Sequence, residues 1–206
     1  DISEIAWLLN LRGEDIEFNP VFLSYLLIGE RETHLFVHLE ALDESVQKEL
    51  ASHGITLHPY ESTAQLLRSL DVRKTLIGYA GSMNRQVVEH FHQLGLRSVC
   101  TSAVTPAPAL RAVKDEREIA GFRRAMELDG VALVRFRRTL DEIIEKGEIT
   151  QETELSIEQR LTTFRAEHPD FRGLSFGTIA GYGAHGAIVH YEADESSNAP
   201  LAARSF

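Results

Sequence analysis

The residues best suited to chemistry lie in a glycine-rich segment near the end of the chain, residues 181–191, which contains His185 and His190. An imidazole ring can move a proton, donate a hydrogen bond to a developing negative charge, or bind a metal ion. Each task needs partner groups at fixed distances. The segment is typical of a glycine-rich strand and turn that presents a histidine, so it predicts one half of a site.

The same glycines fit a dinucleotide-binding spacing, because Gly181, Gly183 and Gly186 spell G-x-G-x-x-G. That motif works only where the glycines close a strand and open a helix, whose N-terminus then holds a pyrophosphate. Here they are followed by Ala-Ile-Val-His-Tyr, a β-branched and aromatic run. We therefore assign the glycines to close strand packing or to a hairpin turn.

A metal site complete within this chain is not predicted. His185 and His190 are five positions apart, which matches neither the even spacing of a strand nor the helical spacing of three or four. His185 is expected to be a half-buried, hydrogen-bonded ring. The acidic residues after Tyr191, namely Glu192, Asp194 and Glu195, are expected in a solvated loop. A nucleophile elbow, G-x-S-x-G, is absent from the sequence.

Charge and composition exclude several classes of partner. The 206 residues carry a net charge of −10, and no apolar run is long enough to cross a membrane, so neither nucleic acid nor a membrane is an expected partner. A local basic cluster is interpreted as a solvated helix face, because acidic residues flank it; it comprises Arg123, Arg124, Arg135, Arg137 and Arg138.

The single cysteine, Cys100, is predicted to be a buried apolar residue, and it excludes an internal disulfide. A reducing compartment, and therefore a cytoplasmic location, is expected. Asp1 is not a natural start, so we also expect an upstream portion.

The elements that would position these residues fall into two groups. Up to about residue 101 the pattern alternates, which predicts an α/β layer with a mixed sheet: strands at 21–28, 33–38, 55–59, 74–79 and 96–101, and helices at 44–53, 62–70 and 84–94. Residues 29–32 are expected to close a hairpin between the first two strands.

A boundary is predicted at Thr105-Pro-Ala-Pro108, which should break regular structure. Apolar positions from Ile119 to Ile143 then recur at three and four, indicating one long helix or two consecutive helices ending near Gly147. A further helix is expected between Thr150 and Pro169, followed by strands over 174–180 and 186–191. Two helices and a hairpin form a poor core by themselves, so this region is predicted to be part of a larger domain.

Several strings resemble one family, the three-domain Xaa-Pro aminopeptidases (aminopeptidase P). They are Ile-Ala-Trp-Leu-Leu-Asn-Leu-Arg-Gly-Glu-Asp-Ile at 5–16, Asn-Pro-Val-Phe-Leu-Ser-Tyr at 19–25, Ala-Val-Lys-Asp-Glu-Arg-Glu-Ile at 112–119, Leu-Ser-Phe-Gly-Thr-Ile at 174–179 and Ala-Ile-Val-His-Tyr at 187–191. They occur in the order of the family and cover essentially the whole chain.

The resemblance implies a creatinase-like α/β domain over residues 1–110 and an incomplete α+β pita-bread metallopeptidase domain over 111–206. The implied activity removes the N-terminal residue from peptides with proline in second position, by a water activated between two divalent ions, usually manganese. His190 matches a histidine that binds the peptide substrate near the scissile bond and is not a metal ligand. The implied metal ligands would lie beyond Phe206, so the chain alone is expected to bind no metal and to be inactive. A homodimer is one assembly that the resemblance implies.

Two alternatives stay open from the sequence. The chain could be a fragment of a prolidase or a creatinase-type hydrolase, which share the fold. From a different class, it could be a non-catalytic pseudoenzyme or binding module that lacks the metal-binding half.

Overall fold

The computed structural model describes residues 1–101 and 106–202. The chain divides into two compact units, the first spanning Asp1–Val113 and the second beginning at Lys114. Each unit has its own architecture.

The first half of unit one is a three-stranded mixed sheet. Its strands lie in the order β1-β2-β3, with β1 antiparallel and β3 parallel to the central β2. The elements are α1 (Ile2–Leu8), β1 (Ser24–Ile28), β2 (Thr33–Val37), α2 (Glu44–Ser52) and β3 (Ile55–Pro59). The predicted hairpin is confirmed, since the four residues between Ile28 and Thr33 join the antiparallel pair.

One face of this sheet carries an apolar core that α1 and α2 help to form. Leu35 and Val37 of β2 pack with buried residues of the flanking segments, Ala6, Val21, Phe22 and Leu50. Gly13 is required by close approach, because a Cβ there would lie 2.7 Å from the Cβ of Phe22. This approach brings the loop after α1 against the core.

The opposite face of the sheet carries aromatic and histidine side chains. Phe36 is 1% exposed and stacks on His58, with ring centroids 5.0 Å apart. His34 Nδ1 lies 3.0 Å from His58 Nε2, so one imidazole donates a hydrogen bond to the other. Burial, and then the neighbouring His34, lower the pKa of His58. This face therefore contains a titratable pair that is more stable with His58 neutral.

The second half of unit one adds a parallel two-stranded sheet, β4-β5. A second apolar core, Leu67, Ile77, Phe91 and Leu96, joins it to the neighbouring helices. The elements are α3 (Thr63–Ser69), β4 (Leu76–Ala80), α4 (Arg85–Gln93), β5 (Arg97–Thr101) and α5 (Pro106–Ala112). The α/β class predicted from the sequence is thereby confirmed for this part.

Two expectations for this unit are wrong. Pro106 does not break regular structure but begins α5, because proline needs no amide hydrogen bond in the first turn of a helix. Cys100 is exposed, not buried. It lies on β5, which among the described residues pairs only with β4 and is covered less completely than the strands of the mixed sheet.

Unit two contains two main helices, α6 (Glu116–Glu145) and α7 (Glu154–Ala166). The alternative of one or two helices is settled in favour of a single 30-residue helix, which Asp115 opens with a capping box. Arg165 of α7 binds Asp129 of α6 through Nε and Oδ1, 2.6 Å apart, and Arg135 of α6 pairs with Glu167. These ion pairs, together with apolar packing, hold the two helices side by side.

The strands expected over 174–180 and 186–191 do not form among the described residues. Residues 174–182 are irregular, and a short 3-10 helix, Gly183–Ala187, is followed by a turn. The physical reason is pairing: a strand requires a neighbouring strand for its backbone hydrogen bonds, and within the described part of unit two no such neighbour lies alongside. The bridge between Thr153 and Pro200 is isolated.

Candidate functional site

The candidate site of unit two is built around the carboxylate of Glu154, the first residue of α7. Its side chain is 0% exposed. The start of α7 does not depend on this carboxylate, because Thr153 and Ser156 form a capping box and Asn198 Oδ1 accepts a hydrogen bond from the amide of Leu155. The carboxylate is thus available to accept hydrogen bonds from the segment of residues 182–199.

Four groups of that segment donate to Glu154. The amide of Tyr182 donates to Oε1 at 2.6 Å, and the amide of Ala199 donates to Oε2 at 3.0 Å. The hydroxyl of Tyr191 donates to Oε2 at 2.7 Å, and His185 Nδ1 lies 3.0 Å from Oε1. One buried carboxylate therefore joins three separate stretches of the chain to the start of α7.

These contacts also determine the charge state of Glu154. Burial by itself raises the pKa of a carboxyl group, because it penalises the charged form. Here the hydrogen bonds from Ala199, Tyr182, Tyr191 and His185 outweigh burial and lower the pKa of Glu154 to about 2. The group is ionised at neutral pH, so it only accepts hydrogen bonds, and the proton of His185 lies on Nδ1.

The glycines serve a tight turn and not a nucleotide site. A Cβ on Gly181 would lie 3.0 Å from the amide nitrogen of Gly186, so the two backbones can approach only because residue 181 is glycine. Gly183 has a φ of 58°, in the left-handed region that favours glycine. This glycine begins a five-residue 3-10 helix, which is too short to provide the pyrophosphate site of the dinucleotide motif. The glycines do pack closely in a turn, but no strand lies on either side of it among the described residues, so neither strand packing nor a hairpin turn, the two interpretations of the sequence, is what the structure shows.

His185 is a half-buried ring with two partners, as expected for it. Its side chain is 29% exposed, its Nδ1 binds Glu154, and its ring stacks on Tyr191 with centroids 4.6 Å apart. The stacking fixes Tyr191 against the turn. His185 therefore contributes to the internal structure of this segment.

His190 lies between His185 and Tyr191 along the chain and is exposed. It was expected on a strand, held by sheet neighbours; instead it lies in a turn, with a φ of 57° that is uncommon for a residue with a side chain. Among the described residues its side chain has no hydrogen bond, whereas Tyr191 directly after it and His185 five positions before it both bind Glu154. The imidazole is therefore presented to its surroundings from an anchored backbone.

The remaining acidic residues are placed as expected. Glu192, Asp194 and Glu195 are exposed, and Asp194 caps a turn by accepting from the hydroxyl of Ser196 at 2.7 Å. Hydrogen bonds from the Ser196 hydroxyl and from the Ser197 and Ser196 amides lower the pKa of Asp194 to about 2. Within residues 1–101 and 106–202, no group of three or more His, Cys, Asp or Glu side chains could hold a metal ion.

The basic cluster is a solvated helix face. Arg137 and Arg138 each pair with an acid one turn along α6, Asp141 at 3.1 Å and Glu142 at 2.8 Å. These pairs are the i,i+4 interactions that the sequence predicted. In the part of the chain that the structure describes, no helix has the length and apolarity needed to cross a membrane.

Glu154 is the site residue that the sequence did not reveal. An acid in the first turn of a helix is ordinary, because it complements the helix dipole. Its neighbours in the network lie 28 to 45 positions away along the chain. The signal for Glu154 in the sequence is weak, since it consists only of an acidic residue that directly follows the capping residue Thr153.

Two family models match the chain. Residues 1–118 match the model described as the creatinase/prolidase N-terminal domain, and residues 120–205 match metallopeptidase family M24. The junction lies close to the division between the two units.

Curated relatives match across both units. Xaa-Pro aminopeptidase 1 of Dictyostelium discoideum is 38% identical over 201 residues, covering 97% of this chain and 31% of that protein. Xaa-Pro aminopeptidase ApepP of Drosophila melanogaster is 35% identical over 200 residues, covering 96% of this chain and 32% of that protein. The chain thus spans about a third of the length of the curated relatives it matches.

A solved structure is also similar. The X-prolyl aminopeptidase of Caenorhabditis elegans, described as a cytosolic enzyme with a di-nuclear active site, matches with a TM-score of 0.86 and 26% identity. The match covers 98% of this chain and 33% of that one.

Proposed function

The chain belongs to the creatinase/prolidase N-terminal domain family, and from this premise we propose that it is part of a metal-dependent Xaa-Pro aminopeptidase. The proposed reaction removes the N-terminal residue from a peptide whose second residue is proline. The observation that carries the proposal is the 38% identity to a protein of that name, which extends over both units.

The proposed role of His190 is to bind the peptide substrate at the carbonyl near the scissile bond. Its support is geometric: the ring is exposed, has no internal partner among the described residues, and lies between backbone positions anchored to Glu154. An imidazole in this position has a ring N–H that can donate to a carbonyl oxygen as negative charge develops on it. One such donor typically contributes on the order of 10² in rate.

We propose two divalent ions, manganese by preference, as the cofactor of the whole enzyme. The described residues contain no group of three or more His, Cys, Asp or Glu side chains that could hold a metal ion, and we propose that the ligands lie outside this chain. The 206-residue chain alone is accordingly proposed to lack peptidase activity. Added manganese should give no hydrolysis and no tight stoichiometric binding to it by calorimetry; a sub-micromolar binding signal would contradict this.

The domain arrangement proposed for the chain is a creatinase-like domain over residues 1–110 and the beginning of a pita-bread metallopeptidase domain over 111–206. We further propose a cytosolic location and peptide substrates, with a homodimer as a candidate assembly.

Substrate length tests the activity. The complete natural polypeptide that contains this chain, supplied with manganese, is expected to cleave Xaa-Pro-Xaa tripeptides and to leave Xaa-Pro dipeptides largely intact. The reverse preference would indicate a prolidase. Absence of hydrolysis on both substrates would favour the pseudoenzyme or binding module.

A further inference from the structure

The carboxylate of Glu154 has a position that helix formation does not explain. An acid at the start of a helix normally lies near the free amides of its own first turn. In α7 those amides have other acceptors: Thr153 Oγ1 accepts from Ser156, and Asn198 Oδ1 accepts from Leu155. The side chain of Glu154 turns instead to the segment containing His190.

The neighbouring acid provides a contrast on the same turn. Glu152 is also buried, at 6% exposure, but its carboxylate binds Arg160 and the Ser156 hydroxyl, which are residues of α7 itself. Glu152 therefore stabilises the helix to which it is attached. Glu154, by contrast, accepts its hydrogen bonds from donors within residues 182–199.

The groups bound to Glu154 lie on both sides of His190. Tyr182 and His185 precede it, and Tyr191 follows it directly. The turn is closed internally by the stack of His185 on Tyr191 and by the hydrogen bond from the Tyr191 amide to the Ile188 carbonyl at 3.3 Å. The backbone of His190 thus has little freedom while its ring stays exposed.

We propose that Glu154 is a positioning residue for substrate binding: through Tyr182, His185 and Tyr191 it holds the turn that presents the His190 imidazole to the peptide. This inference rests on the proposed function, because His190 must contact substrate for its position to matter. Glu154 itself touches no substrate, and its effect on the reaction passes through His190.

The test uses Glu154→Gln, which keeps the size of the side chain. A glutamine amide has one acceptor oxygen and one NH₂ group, so the donors that face the NH₂ group lose their acceptor. Tyr182 donates to one carboxylate oxygen and Ala199 to the other, so amide exchange is expected to accelerate roughly tenfold or more at whichever of the two faces the NH₂ group, the scale of one lost buried hydrogen bond. Unchanged exchange at both amides would overturn the inference.

The kinetic arm uses the complete natural polypeptide with manganese, an Xaa-Pro-Xaa peptide and a double-mutant cycle. His190→Ala is expected to lower kcat/KM by about 10². Glu154→Gln should lower it roughly tenfold by itself but add little in the His190→Ala background, because both changes remove the same contact. Fully additive losses would show that Glu154 acts independently of His190, and would overturn the positioning role.

Glu158→Gln is the matched control, since Glu158 lies one turn further along α7, is half-buried and accepts no hydrogen bond among the described residues. Both kcat/KM and the amide exchange of residues 182–199 should stay at the wild-type level. If the wild-type polypeptide cleaves no peptide, the proposed function fails; the amide exchange of Glu154→Gln still decides whether the carboxylate holds the turn.

Discussion

The two units bury their interiors with different chemistry. In unit one the most deeply buried large side chains are Leu35 and Phe36, at 0% and 1% exposure, and both are apolar. In unit two the corresponding residue is Glu154, which is 1% exposed as a whole residue and carries a charged group. Apolar burial is non-directional and tolerates shifts, whereas a buried carboxylate is stable only while every donor stays in place.

The two units also differ in how their apolar side chains are covered. Unit one packs each of its two sheets on an apolar core, whereas α6 of unit two exposes large apolar side chains that share one helix face: Ile119 at 40%, Phe122 at 58%, Met126 at 66% and Leu133 at 42%. Contiguous exposed apolar surface usually marks a contact with other protein surface. In the proposed enzyme, further parts of the metallopeptidase domain would provide that surface.

The largest expected effect is on unit one. Leu35→Ala should lower the free energy of unfolding of this unit by about 2–5 kcal/mol, because it leaves a cavity in a fully buried core. Trp7, the single tryptophan, lies on α1 of the same unit, so urea unfolding followed by its fluorescence reports this loss.

Leu76→Ala serves as the control, since Leu76 is 58% exposed on β4. A shift of the Trp7 transition as large as that of Leu35→Ala would contradict the assignment of the core to Leu35.

The second-largest loss of stability is expected in unit two, when the buried hydrogen-bond network around Glu154 is removed. Glu154→Leu removes the acceptor of all four donors, each of which costs about 1–3 kcal/mol if it stays buried and unpaired. Since the segment can open to water, we expect a net loss of roughly 2–3 kcal/mol. Faster amide exchange of residues 182–199, where the four donors lie, would show it, while the Trp7 transition should not move. An equal loss of stability in both units would contradict this prediction.

Acid should affect the two units in different pH ranges. The pKa of His58 is lowered from its usual 6.5 in the folded state, so the unfolded chain binds more protons and unit one loses stability as the pH falls from about 6.5 toward that lowered value. The groups facing His58 are His34, and through it Glu32, whose carboxylate lies 3.6 Å from His34 Nε2.

Glu154 titrates lower. Its folded pKa of about 2 is below its usual 4.5, so its contribution is complete above about pH 4.5 and is lost as the pH falls toward 2. Trp7 fluorescence and the amide exchange of residues 182–199, recorded from about pH 7 to about pH 3, should therefore change in that order. His58→Gln should flatten the response of unit one; a response of residues 182–199 that begins near pH 6.5 would contradict the assignment to Glu154.

The smallest stability effect is expected on the exposed face of α6. Met126→Gln should change the free energy of unfolding of the isolated chain by less than about 0.5 kcal/mol, because the side chain is 66% exposed. It should, however, weaken binding of a hydrophobic dye such as ANS. A loss above about 1 kcal/mol would mean that this face is already packed.

Local patterns predicted unit one well because its elements carry their own signals. The hairpin at residues 29–32, the parallel strand over Ile55–Pro59 and the helix ending before Gly54 each follow from turn residues and apolar periodicity within about ten positions. The helix at Pro106 was missed, because proline both ends and begins helices and the composition of 105–108 does not distinguish the two.

Unit two was predicted less well because its structure depends on distant contacts. The run Ala-Ile-Val-His-Tyr has strand propensity, yet propensity yields no strand without a pairing neighbour, and the segment forms a 3-10 helix and a turn. Cys100, in unit one, shows the same limit, since a strand-like context in the sequence, Arg-Ser-Val-Cys-Thr, did not bury it.

The sequence by itself determined the family and the α/β class of unit one, and it predicted a role for the segment around His190, because motifs and periodicity are local properties. Tertiary structure alone decided that this segment is a turn, that His190 has a left-handed backbone and an exposed ring, and that Glu154 holds the residues on either side of it. The reason is that a buried carboxylate accepts hydrogen bonds from donors that the fold brings near it, here up to 45 positions away along the chain. No local spacing in the sequence indicates which distant residues these donors will be.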